Sequence, residues 1–90
     1  MPIKILILDS SEIVRAGLSE LLSTVEGFQV VGTTGSSPEA ERLLAAARPA
    51  VAVLDLGKPD AQRLEFVHAC RQQFPTTRML VFTSQDCMAS

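Results

Sequence analysis

An α/β domain built on a parallel sheet is predicted from three observations. Apolar runs rich in β-branched residues alternate with amphipathic helical patterns at short intervals, which is the signature of strands joined by right-handed crossovers. The strand runs are almost purely apolar rather than alternating, so the sheet should be covered on both faces in a three-layer arrangement. Serine, glycine and proline punctuate the runs where helices should begin and end.

The first run, Ile3 to Asp9, reads IKILILD and forms a strand buried on both sides. Ser10 or Ser11 can cap the helix that follows, with Val14, Leu18, Leu21, Leu22 and Val25 as its apolar stripe and Gly27 as its left-handed terminator. A second strand runs from about Phe28 to Thr33, and a second helix starts with Ser37 as cap and Pro38 at the first helical position. Ala40, Leu43, Leu44 and Ala47 give that helix its inward side, and Arg48-Pro49 ends it. The third strand, VAVLD from Val51 to Asp55, leads through a Gly/Pro turn into a helix from Ala61 to Phe74 carrying Leu64, Val67 and Cys70. Pro75 stops it, and Met79 to Phe82 form the fourth strand. No internal repeat, linker or low-complexity segment interrupts residues 1–90, which read as one domain.

Composition narrows the function. With 90 residues the core is modest, and no apolar run approaches the roughly 18 residues of a membrane span. There is no basic segment followed by a cleavable apolar stretch, so a soluble, cytoplasmic protein is expected. Two cysteines, Cys70 and Cys87, have neither metal-clip spacing nor the density of a disulfide scaffold. Cys70 reads as packing and Cys87 as a tail thiol. A net charge of -2 without Tyr or Trp lacks the basic stripe and stacking aromatics of a nucleic-acid surface.

In a sheet of this kind ligands gather beyond the carboxyl ends of the strands. Asp9, Asp55 and Thr83 sit at that edge, after the first, third and fourth strands. Asp disfavours strand interiors and is costly to bury alone, so two such residues at one edge point to shared chemistry. Two carboxylates and a hydroxyl suit Mg²⁺, which takes one or two carboxylates, keeps waters and accepts phosphate oxygens. A carboxylate beside that ion can act as a nucleophile on phosphorus. Other chemistries are poorly served. No GxxxxGK[ST] or GxGxxG is present, and GTTG at Gly32 to Gly35 reads as a strand exit. His68 lies within the third helix without a second ligand nearby, and no Ser-His-Asp set can form at the crevice. An enzyme is not expected.

The elements IKILILD, EIVRAGLSELL, VVG, RPAVAVLDL, KP, LEF and TRMLVFTS resemble the receiver domain of a bacterial response regulator, most closely the NarL-like subfamily that carries a LuxR-type helix-turn-helix. The resemblance implies a flavodoxin-like sheet ordered 2-1-3-4-5 and phosphorylation by a sensor histidine kinase in two-component signalling. Carried over by position, it makes Asp55 the phosphoacceptor, Asp9 and Asp55 metal ligands together with the Gly57 carbonyl, and Thr83 the switch hydroxyl.

Departures from the family pattern qualify this. Ser10 stands where a second carboxylate is usual, which should weaken Mg²⁺. Asp60 and Arg63 occupy a turn where small residues are common, and Asp60 adds negative charge near the acceptor. Nothing in the spacing lets Lys58 replace the family's phosphate-pairing lysine. The chain reads as a receiver truncated after its fourth strand, in order 2-1-3-4, lacking the last strand and last two helices. The fourth strand would then be an open edge, residues around Ile3, Ile5 and Ile7 would lie partly uncovered, and a homo-oligomer is expected. Two functions follow: a phosphoacceptor controlling a transcriptional output, or a degenerate receiver acting as a dimerisation or protein-interaction module.

Overall fold

The computed structural model describes residues 1–58 and 60–83. Four parallel strands, β1 (Ile3–Leu8), β2 (Phe28–Thr34), β3 (Val51–Asp55) and β4 (Arg78–Phe82), alternate with α1 (Glu12–Ser23), α2 (Ser37–Ala47) and α3 (Ala61–Gln73). Their order in the sheet is β2-β1-β3-β4. This is a flavodoxin-like doubly wound sheet. The first crossover places α1 over β1 and β2, and the next two place α2 and α3 on the opposite face.

Each strand therefore sorts its residues between two cores. Leu6, Leu8, Ala52, Leu54 and Leu56 meet Ala40 and Leu44 of α2 and Val67 and Cys70 of α3. On the other face Ile5, Ile7 and Val53 pack with Leu18 and Leu22 of α1 and with Phe28, Val30 and Val51. Because both faces are buried at β1 and β3, neither strand alternates polar with apolar residues. Thr77, itself buried, donates a 2.6 Å hydrogen bond from its hydroxyl to the Pro49 carbonyl, tying the two loops that feed β3 and β4.

Local signals account for most boundaries. Ser11 caps α1, its hydroxyl accepting from the Val14 N–H at 3.3 Å. The cap of α2 is Ser36 rather than Ser37; its hydroxyl accepts from the Glu39 N–H, and Ser37 and Pro38 already lie within the helix. The capping-box spacing Ser36-x-x-Glu39 carries that signal, though Glu39 turns its carboxylate to the Thr34 hydroxyl, which donates at 2.6 Å. Arg48 ends α2 in the left-handed region at φ 47°. Gly27 does have positive φ, yet it stands beyond the Thr24 cap in the turn entering β2, where its carbonyl accepts from the Ile3 N–H.

Three expectations about packing are corrected. Of the predicted α1 stripe only Leu18 and Leu22 pack on the sheet, while Val14, Leu21 and Val25 are exposed. In α3 the inward residues are Phe66, Val67, Cys70 and Phe74, while Leu64 is half exposed. At 100° per residue Leu64 lies about 100° around the helix from that group, so it belongs to a different face. On the α1 side, Ile5 and Ile7 are closed off by Leu18 and Leu22, and of the predicted set Ile3 alone is exposed. On the sheet itself the open apolar surface lies on the fourth strand, the expected edge, at Leu80 and Phe82, each 50% exposed. Leu80 pairs with Val53 and Phe82 with Asp55, so both project to the face of α1, which covers β1 and β2 but not β4.

Cys70 is fully buried, as its packing role requires. Burial, with a smaller contribution from Glu41, pushes its thiol up to about 11, so it stays protonated and unreactive. Cys87 lies outside the described residues. His68 is exposed on α3. No described helix is long and apolar enough to cross a membrane.

Candidate phosphoacceptor site

The sheet register brings the two predicted carboxylates together. Ile7 pairs with Val53 and Leu8 with Leu54, so one step further Asp9 and Asp55 leave adjacent central strands at the same level. By alternation both share the Ile7 and Val53 face. Strands so paired lie about 4.8 Å apart, which makes the two carboxylates neighbours although they stand 46 positions apart in the chain.

Their surroundings differ. Asp9 is buried, with 4% exposure, and is held from three sides. Its Oδ1 accepts from the Ser11 N–H at 2.8 Å, its own N–H donates to the Thr34 carbonyl at 3.0 Å, and Arg15 Nη1 donates to its carbonyl at 2.6 Å. Gly35 makes the last contact possible, since a Cβ there would stand 2.6 Å from Arg15 Nη1. The GTTG segment is thus a strand exit that admits a guanidinium. Asp55 is half-buried and opens into a crevice of about 190 Å³ lined also by Leu8, Ser10, Gly35, Ser37, Gly57 and Arg63. Its Oδ1 accepts from the Gly57 N–H at 2.9 Å, a turn that needs Gly57 at φ +66°, where an L side chain is strained.

Burial raises the Asp9 pKa above the ordinary 3.8, and the hydrogen bond to and charge of Asp55 add to the rise; the Ser11 N–H and Arg15 oppose it. A neighbouring carboxylate disfavours ionisation of the buried Asp9. A sign follows for stability. Above 3.8 the unfolded chain has released the Asp9 proton, whereas the native state holds it until its own raised pKa is passed. Stability from this group is therefore complete below 3.8 and is lost as pH rises through the native value. Asp9→Asn keeps the acceptor for Ser11 and removes the charge. It should raise the midpoint of thermal unfolding at pH 7 by roughly 4–8 °C, as about 1 kcal/mol does in a domain of this size, and the gain should vanish below pH 3.8. Melting curves across that range check it, and a pH-independent gain would place the cause elsewhere.

The remaining predicted residues are placed as follows. Gly57 lies on the crevice wall. Ser10 is exposed there. Thr83 is half-buried and immediately follows β4 at the same sheet edge, where the Phe82 carbonyl accepts from the Leu56 N–H at 2.9 Å. Lys58 does not line the crevice, and its carbonyl accepts from Arg63 Nη1. Asp60, read in the sequence as an adverse charge, is the cap of α3: Oδ1 accepts from the Arg63 N–H at 2.8 Å, and Oδ2 pairs with Arg63 Nη1 at 2.9 Å. Its position directly before the helical pattern, three residues ahead of a residue able to return the contact, was the available signal. Among the described residues no three His, Cys, Asp or Glu side chains converge as a metal cluster, in keeping with a serine at position 10. The donor set is oxygen only, two carboxylates and backbone, which fits a hard ion that keeps most of its waters.

A doubly wound sheet with paired aspartates at the carboxyl edge of its two central strands defines the class as a flavodoxin-like receiver. The family model for the response regulator receiver domain matches residues 5–90, and the chain belongs to that family. It is 40% identical over 82 residues to the DNA-binding transcriptional activator DevR/DosR of Mycobacterium tuberculosis, covering 91% of this chain and 38% of that protein. Response regulator VraR of Staphylococcus saprophyticus is 32% identical over 93% of this chain and 40% of its own length. Among solved structures, a LuxR-family two-component response regulator from Aurantimonas superposes with a TM-score of 0.79 at 31% identity, over 92% of this chain and 59% of the other. The isolated receiver of RcsB from Salmonella enterica shares the fold, with a TM-score of 0.81 at 23% identity, over 92% and 62% respectively. The chain thus spans about two fifths of these curated relatives. It is a receiver domain of the NarL/LuxR type found in transcriptional response regulators.

Proposed function

We propose that Asp55 accepts a phosphoryl group from the phosphohistidine of a sensor kinase, in a cytoplasmic two-component pathway with a transcriptional output. The register that sets Asp55 beside Asp9, with Asp55 facing the crevice, carries this reading. A carboxylate oxygen of Asp55 attacks phosphorus; the new O–P bond forms as the P–N bond breaks, and the imidazole leaves with the electron pair. Asp55 Oδ1 is steadied by the Gly57 N–H, which leaves the other oxygen to attack. Mg²⁺, held by Asp9, Asp55 and the Gly57 carbonyl, would neutralise the phosphoryl oxygens. Thr83, at the end of the neighbouring strand, is the hydroxyl that would close on them as the switch. Residues 1–90 act here as one receiver unit. With acetyl phosphate as donor, one phosphoryl group per chain should appear by intact mass and map to Asp55 by fragmentation. Label at another residue would refute the assignment.

Metal binding should be weak and improvable. Ser10 is exposed on the crevice wall, so a carboxylate there would lose little hydration. A unit charge about 4 Å from a divalent ion contributes several kcal/mol at an effective dielectric near 20, of which part is lost to repulsion from Asp9 and Asp55. Ser10→Asp should tighten Mg²⁺ about tenfold by isothermal titration. Equal affinities would place the ion elsewhere.

The partner surface of the 90-residue chain is proposed to be a second copy. Among the described residues β4 is a sheet edge, and Leu80 and Phe82 stand half exposed beside it. No proline or charge follows Arg78 in the strand to blunt that edge. A dimer mass at micromolar concentration is expected by sedimentation equilibrium, and Leu80→Lys should weaken it at least tenfold. A monomer mass for the parent chain would rule the dimer out.

A further inference from the structure

The wall of the Asp55 crevice carries one feature that the phosphoacceptor chemistry has not used. Among its described lining residues Arg63 is the sole cation. It also lines a second hollow of about 460 Å³, shared with Ser37, Asp60 and Phe66, so it borders both. Its guanidinium is parked at the second hollow's rim by the Asp60 carboxylate at 2.9 Å and the Lys58 carbonyl at 3.3 Å. Both members of that ion pair are 52% exposed, and an exposed pair of this kind is worth little.

We infer that Arg63 is a phosphoryl-binding residue in reserve: it is held by Asp60 while Asp55 is unmodified and turns into the crevice to bind the phosphoryl oxygens as they arrive. The inference rests on Asp55 being the phosphoacceptor. Charge gives the direction. Before transfer the crevice side offers Asp55, already hydrogen-bonded to Gly57, and the other side offers the Asp60 carboxylate in good geometry. A phosphoryl group brings nearly two negative charges and three acceptor oxygens in planar reach of a guanidinium fork. One carboxylate with a single contact cannot match that. Asp60 stays where it is because its Oδ1 caps α3, so the exchange moves one side chain and no backbone.

The test is the initial rate of labelling by acetyl phosphate and Mg²⁺, read by intact mass on the 90-residue chain. The O–P bond to Asp55 forms, the bond to the donor's bridging oxygen breaks, and acetate leaves with the electron pair. Arg63→Gln should slow labelling about threefold to tenfold, and Arg63→Lys should recover part of the loss because it restores charge without the fork. Asp60→Asn keeps a good helix cap and frees the guanidinium, so labelling should quicken about twofold. In the Arg63→Gln background that gain should disappear, which separates release of Arg63 from a general loss of negative charge. Arg63→Gln labelled as fast as the parent overturns the inference while leaving the acceptor reading intact, and so does an equal Asp60→Asn gain in both backgrounds. A parent chain that takes no label overturns the acceptor reading and this inference with it.

Discussion

Asp55→Asn should leave the chain without any phosphoryl uptake from acetyl phosphate, an all-or-none loss rather than a reduction. The amide preserves the local fold, because its oxygen still accepts from the Gly57 N–H that now binds Asp55 at 2.9 Å. What disappears is the nucleophile: an amide oxygen carries no charge to form the mixed anhydride. Asp9 cannot take over, since it is 4% exposed and its Oδ1 is engaged by Ser11. A second consequence follows from the coupling of the two acids. Asp55 is part of what raises the Asp9 pKa, so the substitution should lower it and narrow the pH window over which stability declines, with the burial contribution remaining. Intact mass and pH-dependent melting measure the two effects on one preparation. Label persisting at the parent level in Asp55→Asn would show that the acceptor lies elsewhere.

Leu54→Ala should destabilise the fold by about 3–5 kcal/mol, the range found when a fully buried leucine leaves a cavity that neighbours only partly fill. Leu54 has no exposed surface, lies in β3 between β1 and β4, and packs in the core under α2 and α3. Small domains have total stabilities of about 5–15 kcal/mol, and the melting temperature should fall by roughly 15–30 °C. The informative comparison is Leu80→Ala. That leucine is also in a strand, pairs with Val53 one row away, and is 50% exposed on the other face. Its loss should cost no more than about 1 kcal/mol. That small cost is expected at concentrations below those at which the proposed dimer forms; where the dimer is present its partner covers Leu80 and the cost should rise, and sedimentation on the same samples separates the two.

That pair of leucines marks a boundary between what sequence and tertiary structure each decide. In the sequence Leu54 and Leu80 are equivalent, each inside a short apolar run. A run buried on both faces and a run buried on one look alike when both sides are apolar, because periodicity distinguishes faces only where polar residues mark one of them. The same ambiguity led Ile5 and Ile7 to be read as partly uncovered, whereas they are buried and the uncovered sheet residues are Leu80 and Phe82 of the edge strand. The sequence lists the apolar residues, while the crossover of α1 over β1 and β2 selects which of them are covered.

Asp60 shows the limit for charged residues. By composition it was an added negative charge near the acceptor, and only the three-dimensional structure shows it holding Arg63 twice, by the backbone N–H as the cap of α3 and by the guanidinium. Short-range chemistry of this kind is in principle legible, as the Ser36 and Glu39 spacing also was, but it competes with neighbouring serines or prolines that propose a cap one residue away.

By itself the sequence determined the order and type of the seven described elements, the parallel character of the sheet and the two aspartates at its carboxyl edge. It could do so because alternating strand and helix patterns admit few connections, and because a carboxylate ending a buried strand is costly enough to need a reason. The structure decided that Asp9 and Asp55 are neighbours at one level, that Asp9 is the buried member, and that Arg63 rather than Lys58 lines the crevice. These depend on strand register and on helix placement. Both are set by packing among residues far apart in the chain, and no local pattern encodes them.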